Sequence, residues 1–179
     1  MQHELIFAGF GGQGIMFAGQ LLAYAAMDQG YHVTWIPSYG PEMRGGTAYC
    51  TVVISDQPIG SPVVKHPSIG MIFNAPSFDK FVPMLQANGL LIYNQSLIPQ
   101  STTRNDLMIL PVPATEKAPA PQLTNMVMIG ALLTVKPILR LEALKAALEA
   151  HIPTHRRHLL KDNFEALASG ARLAEQVIA

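Results

Sequence analysis

The sequence holds one cysteine, Cys50, in 179 residues. A single thiol excludes an intrachain disulfide, and it excludes an iron–sulfur cluster held by the usual cysteine set of this chain alone. Charge is also scarce. Lys, Arg, Asp and Glu make up 13% of the chain, against the ~25% of an ordinary soluble domain. Net charge is +0, so no global field recruits nucleic acid or an anionic membrane surface. The longest apolar run, Met126 to Val135, falls well short of the ~20 residues that a bilayer requires. The start, Met-Gln-His-Glu, carries no basic segment and no A-x-A-like cleavage site, which predicts a cytoplasmic protein. No G-x-S-x-G elbow, Walker lysine motif or H-E-x-x-H occurs.

Apolar residues are not scarce. They make up 49% of the chain, enough for a substantial single-domain core. With so little charge left for the surface, part of that surface is expected to lie against partner chains. The isolated chain can then self-associate through the same face. Cys50 alternates with Ala48, Val52 and Ile54 on one strand face, which predicts a buried structural thiol rather than a nucleophile.

The apolar pattern alternates between strand and helix. Strands are predicted at His3–Ala8, His32–Ile36 (stopped by Pro37), Thr47–Ser55, Ile69–Phe73, Leu90–Tyr93 and Asp106–Val112, with a short edge piece near 59–65. Helices are predicted from Gln13 to Gln29, from a Ser77 cap to Ala87, from a Thr124 or Asn125 cap to Val135, over Leu141–Ala150, and from His155 to Val177. The last carries a stripe of Leu160, Phe164, Leu167, Ala171 and Ala174. Ala114–Gln122, with Pro119 and Pro121, reads as a linker-like arm. The pattern predicts one α/β domain over 1–179. It would be a three-layer α/β/α sandwich, Rossmann-like, on a mostly parallel or mixed sheet, with the helices of 141–178 packed on the sheet.

Two segments carry the chemistry. The first is Gly9-Phe10-Gly11-Gly12-Gln13-Gly14, between an apolar strand and a helix. Glycines permit a tight turn, and the first N–H groups of a helix lack internal partners. The turn is therefore a candidate cradle for a phosphate or carboxylate. Gly9-x-Gly11-x-x-Gly14 also satisfies the dinucleotide-binding pattern, yet the end of the second strand reads Ile36-Pro37-Ser38 and offers no acid for a ribose. The second segment is Ser38-Tyr39-Gly40-Pro41-Glu42-Met43-Arg44-Gly45-Gly46. Here Arg44 can fork onto a phosphate or carboxylate, and Glu42 can hold Arg44. Both segments leave strand ends and are expected at one crevice. His151, His155 and His158 suit a solvated helix start better than a metal site, since Pro153 interrupts them and Arg156 and Arg157 repel a cation. Arg104 and the Arg156–Lys161 cluster read as solvated or interfacial.

The pair Gly-Phe-Gly-Gly-Gln-Gly and Ser-Tyr-Gly-Pro-Glu-Met-Arg-Gly-Gly resembles the gamma subunit of the 2-oxoacid:ferredoxin oxidoreductases, most nearly the 2-oxoglutarate type, and the matching domain of the fused pyruvate enzyme. That resemblance implies oxidative decarboxylation of a 2-oxoacid to an acyl-CoA, with electrons passed to ferredoxin. It implies thiamine diphosphate with Mg²⁺ between alpha and beta chains, and iron–sulfur clusters in a ferredoxin-like delta chain or other subunits. It gives this chain no catalytic residue. Glu42 and Arg44 have a supporting role, and Gly9, Gly11, Gly12, Gln13, Gly14, Ser38, Tyr39, Gly40, Arg44 and Gly45 are the candidate contacts to coenzyme A. Two rival readings stand beside it: a non-catalytic assembly subunit, and a free-standing NAD(P)- or flavin-dependent oxidoreductase.

Overall fold

The computed structural model describes residues 1–38 and 47–178. Among them, six strands form one sheet: β1 (Gln2–Gly9), β2 (His32–Ser38), β3 (Ala48–Ser55), β4 (Ile69–Ile72), β5 (Leu90–Asn94) and β6 (Met108–Val112). Their spatial order is β2-β3-β1-β4-β5-β6. β1, β4, β5 and β6 run parallel, while β3 is antiparallel to both β1 and β2. The sheet is therefore mixed. One consequence is that β3 separates β2 from β1, whereas a dinucleotide fold sets those two side by side.

The helices are α1 (Ile15–Asp28), α2 (Ala75–Phe81), α3 (Ala114–Lys117), α4 (Thr124–Val135), α5 (Leu141–His151) and α6 (Leu160–Ile178). The inward side chains of the strands, Leu5, Phe7, Cys50, Val52, Met71 and Ile92 among them, meet α1, α4, α5 and α6 in the larger core. The opposite sheet face is thinner. There Ile6, Ala8, Ile72 and Leu91 meet α2, the 3-10 turn Val82–Met84 and Ile98. The three layers are present but unequal.

α4 is apolar all round because it is sandwiched. The sheet lies on one side and α6 on the other, and Met126 through Ile129 are 0% exposed. Gly130 faces the Leu167 carbonyl and Gly170 faces the Val127 carbonyl, each too closely to admit a Cβ. That contact rotates the buried face of α6. It runs along Asn163, Ala166, Leu167, Gly170 and Ala174, while Leu160, Phe164 and Ala171 of the expected stripe are only half-buried. α5 reaches the core through α1, and α6 chiefly through α4.

Several expected boundaries are corrected. β2 runs through Pro37 to Ser38, because β2 is an edge strand paired only with β3 and an edge proline costs no ladder bond. Asn74, not Ser77, caps α2: its Oδ1 accepts the Ser77 N–H at 2.9 Å. α2 stops at Phe81 and passes into a 3-10 turn through Pro83, so no helix reaches Ala87. Thr124 and Asn125 open α4, but neither side chain caps it. The 59–65 piece forms no strand, and the 114–122 arm contains α3. The final segment begins as a 3-10 turn over Thr154–Leu159, so α6 starts at Leu160 rather than His155. Arg104 is not a free surface cation. It pairs with Asp106 at 2.6 Å and donates to the carbonyls of Val82, Pro83 and Leu85, pinning the 3-10 turn.

Candidate functional site

The candidate site lies at the edge of the sheet where β1, β4, β5 and β6 end. Gly9 closes β1 and pairs with Ala48 at the start of β3, while Ser38 at the end of β2 pairs with Tyr49. Both ends of the 39–46 connection therefore stand on the same edge as the glycine turn. Tyr39, Gly40, Glu42, Arg44 and Gly45 themselves lie outside the described residues. At the connection's exit, Lys80 Nζ donates to Thr47 Oγ1 at 3.4 Å and lies 5.0 Å from the centre of the Phe81 ring.

The turn is braced from within. Gln13 Oε1 accepts the Phe10 N–H at 2.7 Å and the Asn74 amide at 3.4 Å, and Gln13 Nε2 donates to the Phe73 carbonyl at 3.4 Å. Gln13 thus ties the turn to the end of β4 and closes off one amide. A Cβ on Gly9 would stand 2.5 Å from that same Gln13 Oε1, so Gly9 makes room for the brace. Gly11 and Gly12 are exposed. Gly14 is the N-cap of α1 in the left-handed region (φ 71°), and its carbonyl accepts the Ala18 N–H at 2.9 Å. Among the described residues, nothing accepts from the N–H groups of Gly11, Gly12, Gly14, Ile15, Met16 or Phe17. The turn therefore offers a set of open amides at the positive end of a 14-residue helix.

Beside it is a cleft of about 410 Å³ lined by Gly12, Gln13, Leu97, Thr115, Pro121, Gln122 and Thr124. No described lining residue is charged, and the partial positive charge beside the cleft is that of the α1 N-terminus. The far wall is a hydrogen-bonded unit. Asn94, at the end of β5, donates to Thr115 Oγ1 at 2.8 Å and accepts the Thr115 N–H at 3.3 Å, while Thr124 donates to the Pro121 carbonyl at 2.8 Å. Thr115 and Gln122 escape a reading by motif, since a hydroxyl and an amide in a linker-like arm carry no spacing signal, and Thr124 reads only as a helix cap. Asn74 and Asn94 do carry a signal, since each is a polar residue closing an apolar run; Asn74 follows β4 and Asn94 ends β5, and both are buried.

Cys50 is fully buried, with its thiol 3.6 Å from the Ile15 carbonyl. Burial pushes its pKa up to about 12, against a smaller downward pull from Trp35. It is a structural thiol. His151 stacks on Tyr24 with ring centres 4.3 Å apart and pairs with Asp28 at 3.0 Å, which ties α5 to α1.

The mixed sheet also bears on the dinucleotide reading. With β3 interposed, the end of β2 stands about two strand spacings, roughly 10 Å, from β1. An acid placed there would be twice as far from the turn as in a dinucleotide fold, and Ser38 supplies none.

A mixed six-stranded sheet with helices on both faces, and a glycine turn feeding α1 at its carboxyl edge, defines a three-layer α/β domain. Residues 4–173 match the family described as pyruvate ferredoxin/flavodoxin oxidoreductase, and the chain belongs to that family. It is 31% identical over 185 residues to the 2-oxoglutarate synthase subunit KorC of Methanocaldococcus jannaschii, covering 99% of this chain and 96% of that one. It is 45% identical over 111 residues, 62% of this chain, to the ketoisovalerate oxidoreductase subunit VorA of Methanothermobacter marburgensis, where the match spans 23% of that longer protein. The match thus spans about a quarter of each VorA relative and nearly all of KorC. Among solved structures, the keto/oxoacid ferredoxin oxidoreductase gamma subunit from Geobacter sulfurreducens PCA superposes with a TM-score of 0.81 at 25% identity, covering 97% of this chain and 99% of that one.

Proposed function

We propose that this chain is the gamma-type subunit of a cytoplasmic, multi-subunit 2-oxoacid:ferredoxin oxidoreductase of the 2-oxoglutarate type. Its glycine turn and 39–46 connection complete the cleft that admits coenzyme A. The observation that carries the site reading is the row of open amides at the start of α1, on the sheet edge shared by both ends of that connection. The near-full-length match to a 2-oxoglutarate synthase subunit carries the assignment to this type of enzyme.

In the complete enzyme, a 2-oxoacid and coenzyme A become acyl-CoA and carbon dioxide, and two electrons pass to ferredoxin. Thiamine diphosphate with Mg²⁺ supplies the carbanion stabilisation and iron–sulfur clusters carry the electrons. This chain's residues do not fit a cluster, since its one thiol is buried with its pKa pushed up to about 12. The proposed partners are therefore alpha and beta chains for thiamine diphosphate and a ferredoxin-like delta chain for clusters. What this chain contributes is binding and orientation: open amides for an anionic group, with Arg44 and Glu42 on the adjoining connection. Among the described residues, no helix is long and apolar enough to cross a membrane.

A second reading, that the two motifs only lock this chain against a partner, is favoured by exposed apolar side chains around the turn: Phe10 (38%), Phe17 (40%) and Leu97 (45%). Purification of the chain from its own cells under gentle conditions, followed by native mass spectrometry, tests the proposal. Co-purification with subunits carrying thiamine diphosphate and clusters is expected. Recovery as a lone, fully active oxidoreductase would overturn it. Reconstitution with and without this chain separates a cleft-forming role from an assembly role, since full turnover without it supports assembly only.

A further inference from the structure

The carbonyl of Gly14 has two donors. One is the Ala18 N–H at 2.9 Å, the ordinary first bond of α1. The other comes from a residue 111 positions away: Asn125 Nδ2, on the first turn of α4, at 3.1 Å. Asn125 is 4% exposed, and its Oδ1 accepts the N–H of its neighbour Met126 at 2.9 Å.

Helix geometry does not require this second bond, because the carbonyl is already satisfied. Nor does the core require an amide here: Met126, Val127, Met128 and Ile129 follow it and are wholly apolar, and an unused amide at that depth is costly. Gly14 is shaped to the contact. A Cβ on it would lie 2.5 Å from Asn125 Nδ2. The absence of a side chain at position 14 is what lets the amide reach the carbonyl.

The effect falls on the next amide. In a trans peptide, C=O and N–H point in opposite directions. With the Gly14 carbonyl held toward Ala18 and Asn125, the Ile15 N–H points the other way, out of the start of the helix. Two donors on one carbonyl fix that plane more firmly than one.

We propose that Asn125 is a positioning residue that sets the Gly14–Ile15 peptide so that the first amides of α1 face an anionic group of coenzyme A. This rests on the reading of the turn as part of the coenzyme A cleft. Asn125 need not touch the ligand. It acts through Gly14, and it couples the start of α4, whose Thr124 lines the cleft, to the start of α1.

The test uses the assembled complex. Asn125→Asp keeps the size and the Oδ1 acceptor, removes the donor and sets a carboxylate against the Gly14 carbonyl; Asn125→Ala removes the contact without adding charge. Both should raise KM for coenzyme A about tenfold, the scale of one lost hydrogen bond. KM for the 2-oxoacid, and kcat at saturating coenzyme A, should stay within about twofold. A merely structural residue would lower assembly or kcat and leave KM for coenzyme A alone, and that outcome overturns the proposal. Arg44→Ala, run in parallel, separates the two levels. If it raises KM for coenzyme A and the Asn125 variants do not, the positioning role fails and the cleft reading stands. If none of them moves it, the cleft reading fails and this proposal with it. Should neither Asn125 variant assemble, hydrogen exchange on the unmodified complex decides: coenzyme A is expected to slow exchange at the Ile15, Met16 and Phe17 amides, and no protection there overturns the proposal.

Discussion

Gly9, the last residue of β1, lies directly opposite Ala48, the first residue of β3. This pairing brings the exit of the 39–46 connection beside the glycine turn, although nearly forty residues separate them along the chain. Antiparallel insertion of β3 between β1 and β2 is what makes it so. A parallel strand in that place would carry its start to the opposite edge of the sheet.

Arg44→Ala is therefore expected to raise KM for coenzyme A by roughly 10- to 100-fold in the assembled enzyme, the scale of a hydrogen bond to a charged group. KM for the 2-oxoacid should not change, because thiamine diphosphate, the group on which the 2-oxoacid reacts, is proposed to be held by other chains. Steady-state kinetics with each substrate varied in turn would show it. Equal coenzyme A constants for variant and parent would remove Arg44 from the cleft.

Gln13 gives a graded test at the turn. Gln13→Ala leaves the Phe10 N–H and the Phe73 carbonyl without their shared partner, and should lower stability by about 1 kcal/mol. Gln13→Glu keeps an acceptor for Phe10 but places a negative charge among amides proposed to hold an anion. It should weaken coenzyme A binding more than the alanine variant does, despite retaining more of the brace. Calorimetric titration of both variant complexes checks the order; the reverse order would argue that no anion binds there.

Packing predicts a separate effect far from the crevice. Gly130→Ala would force a methyl group against the Leu167 carbonyl, part of a helix backbone that cannot turn aside. Overpacking of this kind costs on the order of 3 kcal/mol and lowers Tm by roughly 10 °C in a domain of this size. Thermal unfolding monitored by circular dichroism measures it, and an unchanged Tm would mean that α4 and α6 are not held this closely.

The buried thiol makes stability depend on alkaline pH. Burial raises the Cys50 pKa from 9.0 to about 12 in the folded chain. The folded state therefore keeps a proton that the unfolded state releases. The contribution is complete below about pH 9 and declines above it, by up to roughly 1.4 kcal/mol per pH unit until the folded pKa is reached. Cys50→Ser or Cys50→Ala should flatten that slope in denaturant titrations between pH 8.5 and about 11. In the parent chain, a thiol reagent at pH 8 should react only after unfolding. Rapid labelling of the native protein would contradict the burial.

What the sequence settled by itself was local. A glycine-rich turn between an apolar strand and an apolar helix has few other backbone solutions, so its place and its open amides were legible from spacing. The buried face of β3 followed from alternation, and so did Cys50. The family resemblance rested on two short motifs and held over nearly the whole chain. Cap positions were less legible, because Asn74 and Ser77 are both good caps and only the path of the chain out of β4 selects the first. Pro37 looked like a strand end because an isolated sequence does not say which strand has a free edge.

Only the tertiary structure decided the rest. The order β2-β3-β1 is set by which apolar faces can be covered at once, and no single segment encodes it. The rotated face of α6 comes from two glycines that let backbones touch. The bond from Asn125 to Gly14 joins two helix starts that are remote in sequence, and a lone asparagine at a helix start reads locally as a cap. Short-range sterics and periodicity can be read from a string of residues. Contacts that depend on how separate elements are brought together exist only once the chain has folded.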